Sequence, residues 1–149
     1  MLDKPSKTPF HMHKLALRPL LRTLDQNQIK ALFTELESIN QDEFTAILYR
    51  HGLTQLWLQF LLKQESIPTW LAGAIKAFKK DALSIAANQL MQRKILQDTS
   101  EAFKQAGIDY LVFKGAHLRH TIYDDPIHRT VCDIDILVRD EQKLDAVKA

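Results

Sequence analysis

Residues 110–138 read YLVFKGAHLRHTIYDDPIHRTVCDIDILV, and this stretch contains the pattern that decides the fold. Its apolar beginning predicts a strand over residues 108–113. Gly115 follows, and apolar residues at helical spacing after it predict a helix that begins at this glycine. A second apolar run predicts another strand over residues 131–138. The stretch therefore predicts a strand, a helix and a second strand in that order.

Asp133 and Asp135 lie two positions apart in the second predicted strand. Since successive side chains alternate along a strand, both carboxylates are predicted on one face, and Cys132 is predicted on the opposite, apolar face, in the core. Two neighbouring ionised carboxylates repel each other unless a cation neutralises them. Mg²⁺ and Mn²⁺ prefer such oxygen ligands and share them with phosphate groups. The pattern therefore favours phosphoryl or nucleotidyl chemistry.

The turn at Gly115 predicts a place for the phosphate groups. Glycine allows the backbone to approach a ligand closely. The helix that follows presents its free amide groups and the positive end of its dipole. A nucleotide bound there would lie near the paired carboxylates.

The chain contains the motif Lys114-Gly115-Ala116, then Tyr123, and then the run RTVCDIDILV, which starts at Arg129. In these residues it resembles the uncharacterised bacterial branch of the nucleotidyltransferase superfamily, which shares its fold with DNA polymerase beta. The resemblance implies transfer of a nucleoside monophosphate from an NTP to an acceptor hydroxyl, with release of pyrophosphate. It implies Mg²⁺ or Mn²⁺ as the cofactor and leaves the acceptor unknown. The implied site residues are Asp133 and Asp135 as catalytic metal ligands, Gly115 and the amide of Ala116 as phosphate-binding groups, and Lys114 and Arg129 as further nucleotide contacts.

Two features depart from the superfamily pattern. Ala116 stands where members have Gly or Ser after the glycine, so it offers no hydroxyl to a phosphate. Superfamily members also have a third carboxylate on a later strand, which we expect beyond residue 149. This implies that the chain is incomplete and, by itself, inactive or nearly so.

Upstream of this stretch, the chain has the spacing of apolar residues that is typical of helices. Asp25 and Asp42 are predicted to cap the N-termini of the second and third helices, and Gly52 is predicted to end the third. One long helix is predicted over residues 69–106, with Gly107 directly after it, and a break near residues 97–100 stays open. The predicted fold class is α+β.

The domain organisation that follows is a helical region over residues 1–105 and the start of a truncated nucleotidyltransferase-type core over residues 106–149. A two-stranded sheet is marginally stable alone, so it must pack on the helices or on another chain. The unpaired strand edges predict a contact through which chains would form an oligomer.

Composition limits the class of protein. The chain has 149 residues, is 46% hydrophobic and carries 20 Lys and Arg against 18 Asp and Glu, for a net charge of +2, so it has no clear nucleic-acid signal. Residues 1–5 do not resemble a signal peptide, and the single Cys132 has no internal partner, which together predict a cytoplasmic protein. The most apolar stretch, at residues 53–62, is too short to span a membrane.

Two other functions remain open from the residues alone. An Asp-x-Asp pair also holds Mn²⁺ in glycosyltransferases, although the nearby Gly115 turn argues against that function. Alternatively, the helical region is a protein-binding or regulatory module and the nucleotide site is vestigial. Arg129 also has an alternative to phosphate binding, because it can form an ion pair with Asp124 or Asp125 on the surface.

Overall fold

The computed structural model describes residues 9–21 and 23–149, so the interpretation of residues 1–5 lies outside the described part of the chain. The fold is α+β, as predicted. Its helices are α1 (Pro9–Leu21), α2 (Gln26–Glu37), α3 (Gln41–Arg50), α4 (Thr54–Leu62), α5 (Thr69–Gln105), α6 (Lys114–Thr121) and α7 (Lys143–Lys148). The strands are β1 (Tyr110–Phe113) and β2 (Asp135–Val138), and short 3₁₀ helices lie at Pro126–His128 and Asp140–Gln142.

The helix N-termini follow local capping rules. Asp25 forms a reciprocal capping box with Gln28, in which each side chain accepts from the other residue's backbone amide. The prediction that Asp42 caps α3 is wrong, because the side chain of Asn40 accepts from the amide of Glu43 at 3.0 Å. Asp42 lies in the first turn instead, where a negative charge also favours the helix dipole.

The C-termini of α3 and α5 end at glycines with left-handed backbone, as predicted. Gly52 has a φ of +64° and Gly107 a φ of +66°. After α5, the amide of Ile108 donates to the carbonyl of Phe103 at 2.8 Å and the amide of Gly107 to that of Lys104 at 3.3 Å. This is the Schellman arrangement, which requires a positive φ that glycine adopts without strain.

The chain divides into two compact units, Met1–Asp81 and Ala82–Ala149, and the division falls within α5. The predicted domain boundary between residues 105 and 106 stays a prediction. Among the described residues, no helix combines the length and apolar character needed to cross a membrane.

The first unit contains the larger hydrophobic core. Trp57 is fully buried, and its indole Nε1 donates to the carbonyl oxygen of Ala16 at 2.8 Å. The Phe44 ring packs edge-on against the Trp57 ring, with centroids 5.3 Å apart. Other fully buried side chains here are Leu32, Leu36, Leu48, Leu71 and Phe78. Close packing of large apolar side chains is the main source of stability in this unit.

The second unit contains the sheet. β1 and β2 are antiparallel, with Tyr110 opposite Val138 and Phe113 opposite Asp135. The prediction of a strand over residues 131–138 is wrong in its first half, because β2 begins only at Asp135. β1 turns into α6 immediately after Phe113, so residues 131–134 have no strand partner.

Candidate functional site

The chain turns sharply between β1 and α6. The turn falls on Lys114, which has a φ of +54° in the left-handed region that non-glycine residues rarely adopt. Such a residue costs about 1–2 kcal/mol relative to ordinary helical backbone. Phe113, the N-cap residue, provides no side-chain acceptor for the first turn of α6. Backbone strain of this kind is found disproportionately at functional sites.

Gly115 allows a close approach, but the group that approaches is part of the protein. A Cβ built on Gly115 would lie 3.2 Å from both Cγ atoms of Val131, closer than ordinary van der Waals contact. Val131 is buried and belongs to the segment without regular secondary structure before β2. Glycine at this position therefore lets the first turn of α6 pack directly on the segment that leads to the two aspartates.

Asp135 lies beside the turn. It is opposite Phe113 in the sheet, and its Oδ1 accepts from the Nζ of Lys114 at 3.0 Å. The Lys114 ammonium also lies over the Phe113 ring, 5.0 Å from its centroid. The Asp135 side chain is about a quarter exposed, at 24%. One predicted metal ligand and the predicted phosphate turn therefore lie together, joined by an ion pair.

Asp133 lies outside β2, in the segment just before it that has no regular secondary structure, and is exposed. Cys132 is exposed as well, so its predicted place in the core is wrong. The prediction assumed strand alternation, which does not apply to residues without a strand partner. Among the described residues, no group of three or more His, Cys, Asp or Glu side chains is arranged to hold a metal ion.

Arg129 ends the 3₁₀ helix Pro126–His128 and is exposed. Within residues 9–21 and 23–149 it forms no ion pair with Asp124 or Asp125. The Asp125 carboxylate instead caps the 3₁₀ helix, accepting from the amide of Ile127 at 3.0 Å. The guanidinium of Arg129 therefore remains available to a ligand from solvent.

Arg119 on α6 is a buried cation that the sequence interpretation missed. It is only 4% exposed; its Nη1 donates to Gln92 Oε1 at 2.9 Å and its Nε to the carbonyl of Arg129 at 3.2 Å. Burial, and secondarily the charge of Arg129, lower the pKa of Arg119 below its usual value. A signal was present, since Arg119 is four residues after Gly115 and so shares the helix face that packs on Val131.

Two glutamines of α5 complete the attachment of this segment. Gln89 Nε2 donates to the carbonyl of Pro126 at 2.7 Å, and Gln92 Nε2 donates to that of Val131 at 2.9 Å. Together with Arg119, they satisfy backbone acceptors in a segment that has no strand partner. The segment that carries Arg129 and Asp133 is thus held on α5 and α6 by side-chain hydrogen bonds.

A comparison with protein families agrees with the motif. A family model described as an uncharacterised nucleotidyltransferase matches residues 37–149. The match begins at the last residue of α2 and includes α3, α4 and α5, so it covers more of the chain than the motif at residues 110–138. No curated protein and no solved structure matches the chain.

Proposed function

Because the chain belongs to the uncharacterised nucleotidyltransferase family, we propose that it takes part in transfer of a nucleoside monophosphate from an NTP to an acceptor hydroxyl. In this reaction the acceptor oxygen bonds to the α-phosphorus while the bond from that phosphorus to the pyrophosphate oxygen breaks. The hydroxyl proton is released and pyrophosphate leaves. Nucleotidyl transfer is the general activity that the family name describes, and the residue roles below are our proposal.

The observation that carries this proposal is the contact between Asp135 and Lys114. It joins the carboxylate at the start of β2 to the first residue of α6, across 21 positions of sequence. The proposed metal ligand therefore lies beside the amide groups that are proposed to bind phosphate. Such proximity is what a cation shared between a carboxylate and a nucleotide requires.

The donor chemistry at this turn fits a divalent cation. Asp133 and Asp135 offer carboxylate oxygens, the ligands that Mg²⁺ and Mn²⁺ prefer, and both are accessible from solvent. The Lys114 ammonium neutralises Asp135 and would compete with a cation for its Oδ1. When bound, such a cation would lower the pKa of the acceptor hydroxyl and stabilise the charge on the leaving pyrophosphate.

The nucleotide phosphates are proposed to lie at the start of α6. The backbone amides of Gly115 and Ala116 lie in the first turn of this helix. The N-cap residue, Phe113, forms no side-chain hydrogen bond to this turn. The positive end of the helix dipole favours an anion at this position. Lys114 and the exposed Arg129 would add positive charge.

Calorimetric binding of ATP, GTP, CTP and UTP, each with and without Mg²⁺, tests the proposal. Binding is the suitable measurement because the described residues contain no group of three or more His, Cys, Asp or Glu side chains arranged to hold a metal ion. Mutating even an outer-sphere partner of a metal changes affinity about 10–100-fold. Asp135→Asn should therefore weaken Mg²⁺-dependent binding by at least about tenfold, whereas Asp145→Asn on α7, which is exposed, should leave it unchanged.

The outcomes separate the competing functions. If no nucleotide binds, or if Asp135→Asn binds as well as the unmodified chain, the proposed site is wrong and the vestigial regulatory module is favoured. If UDP-sugars bind with Mn²⁺ and free NTPs do not, the glycosyltransferase alternative is favoured. A preference for one NTP would identify the base.

A further inference from the structure

A large groove lies within the second unit, along the C-terminal half of α5. It has a volume of about 1340 Å³ and is lined by α5, β1, α6 and the segment between α6 and β2. Small-molecule sites typically occupy about 300–1,000 Å³. The groove is therefore large enough for an organic ligand.

The groove lies on the opposite face of the sheet from Asp135. Tyr110 lines the groove, and Asp135 is paired with Phe113. Tyr110 and Phe113 are three positions apart in β1, and residues an odd number apart point to opposite faces of a strand. Directly opposed residues of antiparallel strands share a face, so Asp135 lies on the Phe113 side. A ligand in the groove would thus lie on the other side of the sheet from Asp135, although Ala116 of the proposed phosphate site also lines the groove.

Arg119 supplies a buried positive charge to the wall of this groove. Its Nε and Nη1 donate to protein acceptors, and no described residue accepts from its Nη2. It forms no ion pair with any carboxylate in residues 9–21 and 23–149. A buried charge without a counter-charge is costly, and the nearby Arg129 increases that cost. Nη2 is accessible to solvent, so a ligand anion could reach it and provide the missing counter-charge.

The rest of the lining gives the chemical class of the occupant. Arg93 and Lys104 add positive charge, whereas Glu101 is the one carboxylate among the described residues that line the groove. Apolar side chains also line the groove, and one of them, Leu90, is 69% exposed. This combination suits a molecule with an anionic group and an apolar body.

We propose that the groove is a second ligand site, which binds a small amphipathic organic anion with its carboxylate, sulfonate or phosphate group at Arg119. The site borders the proposed nucleotide site at Ala116 and takes a different class of ligand. Arg119, which would bind the anionic group, also donates a hydrogen bond to the carbonyl of Arg129.

A pair of fluorescent probes tests this proposal on the 149-residue chain. Anilinonaphthalene sulfonate has the proposed anionic group and aromatic body, and phenylnaphthylamine has the same body without the charge. The sulfonate should bind at one saturable site. Hydrogen bonds to charged groups contribute about 1.5–3 kcal/mol, so Arg119→Gln should weaken sulfonate binding about tenfold or more and change phenylnaphthylamine binding less than about twofold.

A second variant keeps the test decisive if Arg119→Gln does not fold. Leu90 and Leu83 are both exposed on α5, at 69% and 74%, but only Leu90 lines the groove. Leu90→Glu should weaken sulfonate binding, and Leu83→Glu should not. Circular dichroism checks that both variants keep their helical content.

Two results would overturn the proposal. One is sulfonate binding that is multiple, unsaturable or equal for the Leu90→Glu and Leu83→Glu variants. The other is an Asp135→Asn variant that loses sulfonate and MgATP binding together, because the two ligands would then share one site. If Asp135→Asn loses MgATP binding but keeps sulfonate binding, both sites are supported. If neither the unmodified protein nor any variant binds MgATP, the proposed nucleotide site is wrong, and the sulfonate measurements still test the groove.

Discussion

Replacing Gly115 with alanine tests whether the first turn of α6 requires direct contact with Val131. The new Cβ would lie 3.2 Å from both methyl carbons of Val131, a few tenths of an ångström inside ordinary contact. Val131 cannot move freely, because it is buried, is β-branched, and its carbonyl accepts from Gln92. Overpacking of this kind costs about 1–3 kcal/mol. The gain in helix propensity from glycine to alanine offsets about 1 kcal/mol.

Gly115→Ala should therefore lower the free energy of unfolding by about 0–2 kcal/mol. Gly73 is a matched control, because it also lies in a helix and nothing lies within 4 Å of a Cβ built there. Gly73→Ala should raise the free energy of unfolding by up to about 1 kcal/mol. Urea unfolding followed by circular dichroism measures both changes.

A double-mutant cycle separates the contact from other effects. Val131→Ala alone removes two methyl groups and should cost about 1.6 kcal/mol or more from lost burial. In that background no Cγ atom obstructs Gly115→Ala, so the second substitution should stabilise the chain. The coupling between the two sites should then be about 1–3 kcal/mol. Additivity within about 0.5 kcal/mol, or stabilisation by Gly115→Ala alone, would show that the contact does not explain this glycine.

Two further substitutions test a helix cap and the ion pair at the turn. Asp25→Ala removes the capping box with Gln28 and should lower the free energy of unfolding by about 1 kcal/mol, whereas Asp42→Ala, which removes no cap, should cost less in the same urea experiment. Lys114→Gly relieves the left-handed strain but loses a mostly exposed ion pair, so the free energy of unfolding should rise by about 0–2 kcal/mol. The same variant should bind Mn²⁺ alone more tightly by calorimetry, since Asp135 no longer pairs with the ammonium, and unchanged Mn²⁺ affinity would show that Lys114 does not compete.

The helices were the most predictable part of the chain. The long helix predicted over residues 69–106 is observed as Thr69–Gln105, and Gly107 occupies the position after it that was predicted. Asp25 caps α2 as expected. Each of these features depends on hydrogen bonds between residues within about five positions of each other, so the local sequence contains the information.

The errors occurred where the outcome depends on partners that are distant in sequence. Cys132 looks like a strand residue, but β1 has only four residues and none of them pairs with it. Asp42 is a suitable capping residue, but Asn40 stands two positions earlier and fills that role. Arginine is usually found at the protein surface, and Arg119 is buried only because it packs against Gln92 and the Arg129 carbonyl.

The amino-acid sequence by itself determined the α+β class, the long helix and the family, because periodicity, capping residues and the motif at residues 110–138 are local properties. The tertiary structure decided where β2 begins, that Gly115 faces Val131, and that Lys114 pairs with Asp135. These features join residues 16 to 22 positions apart, and their energies depend on distances that exist only after the segments have packed.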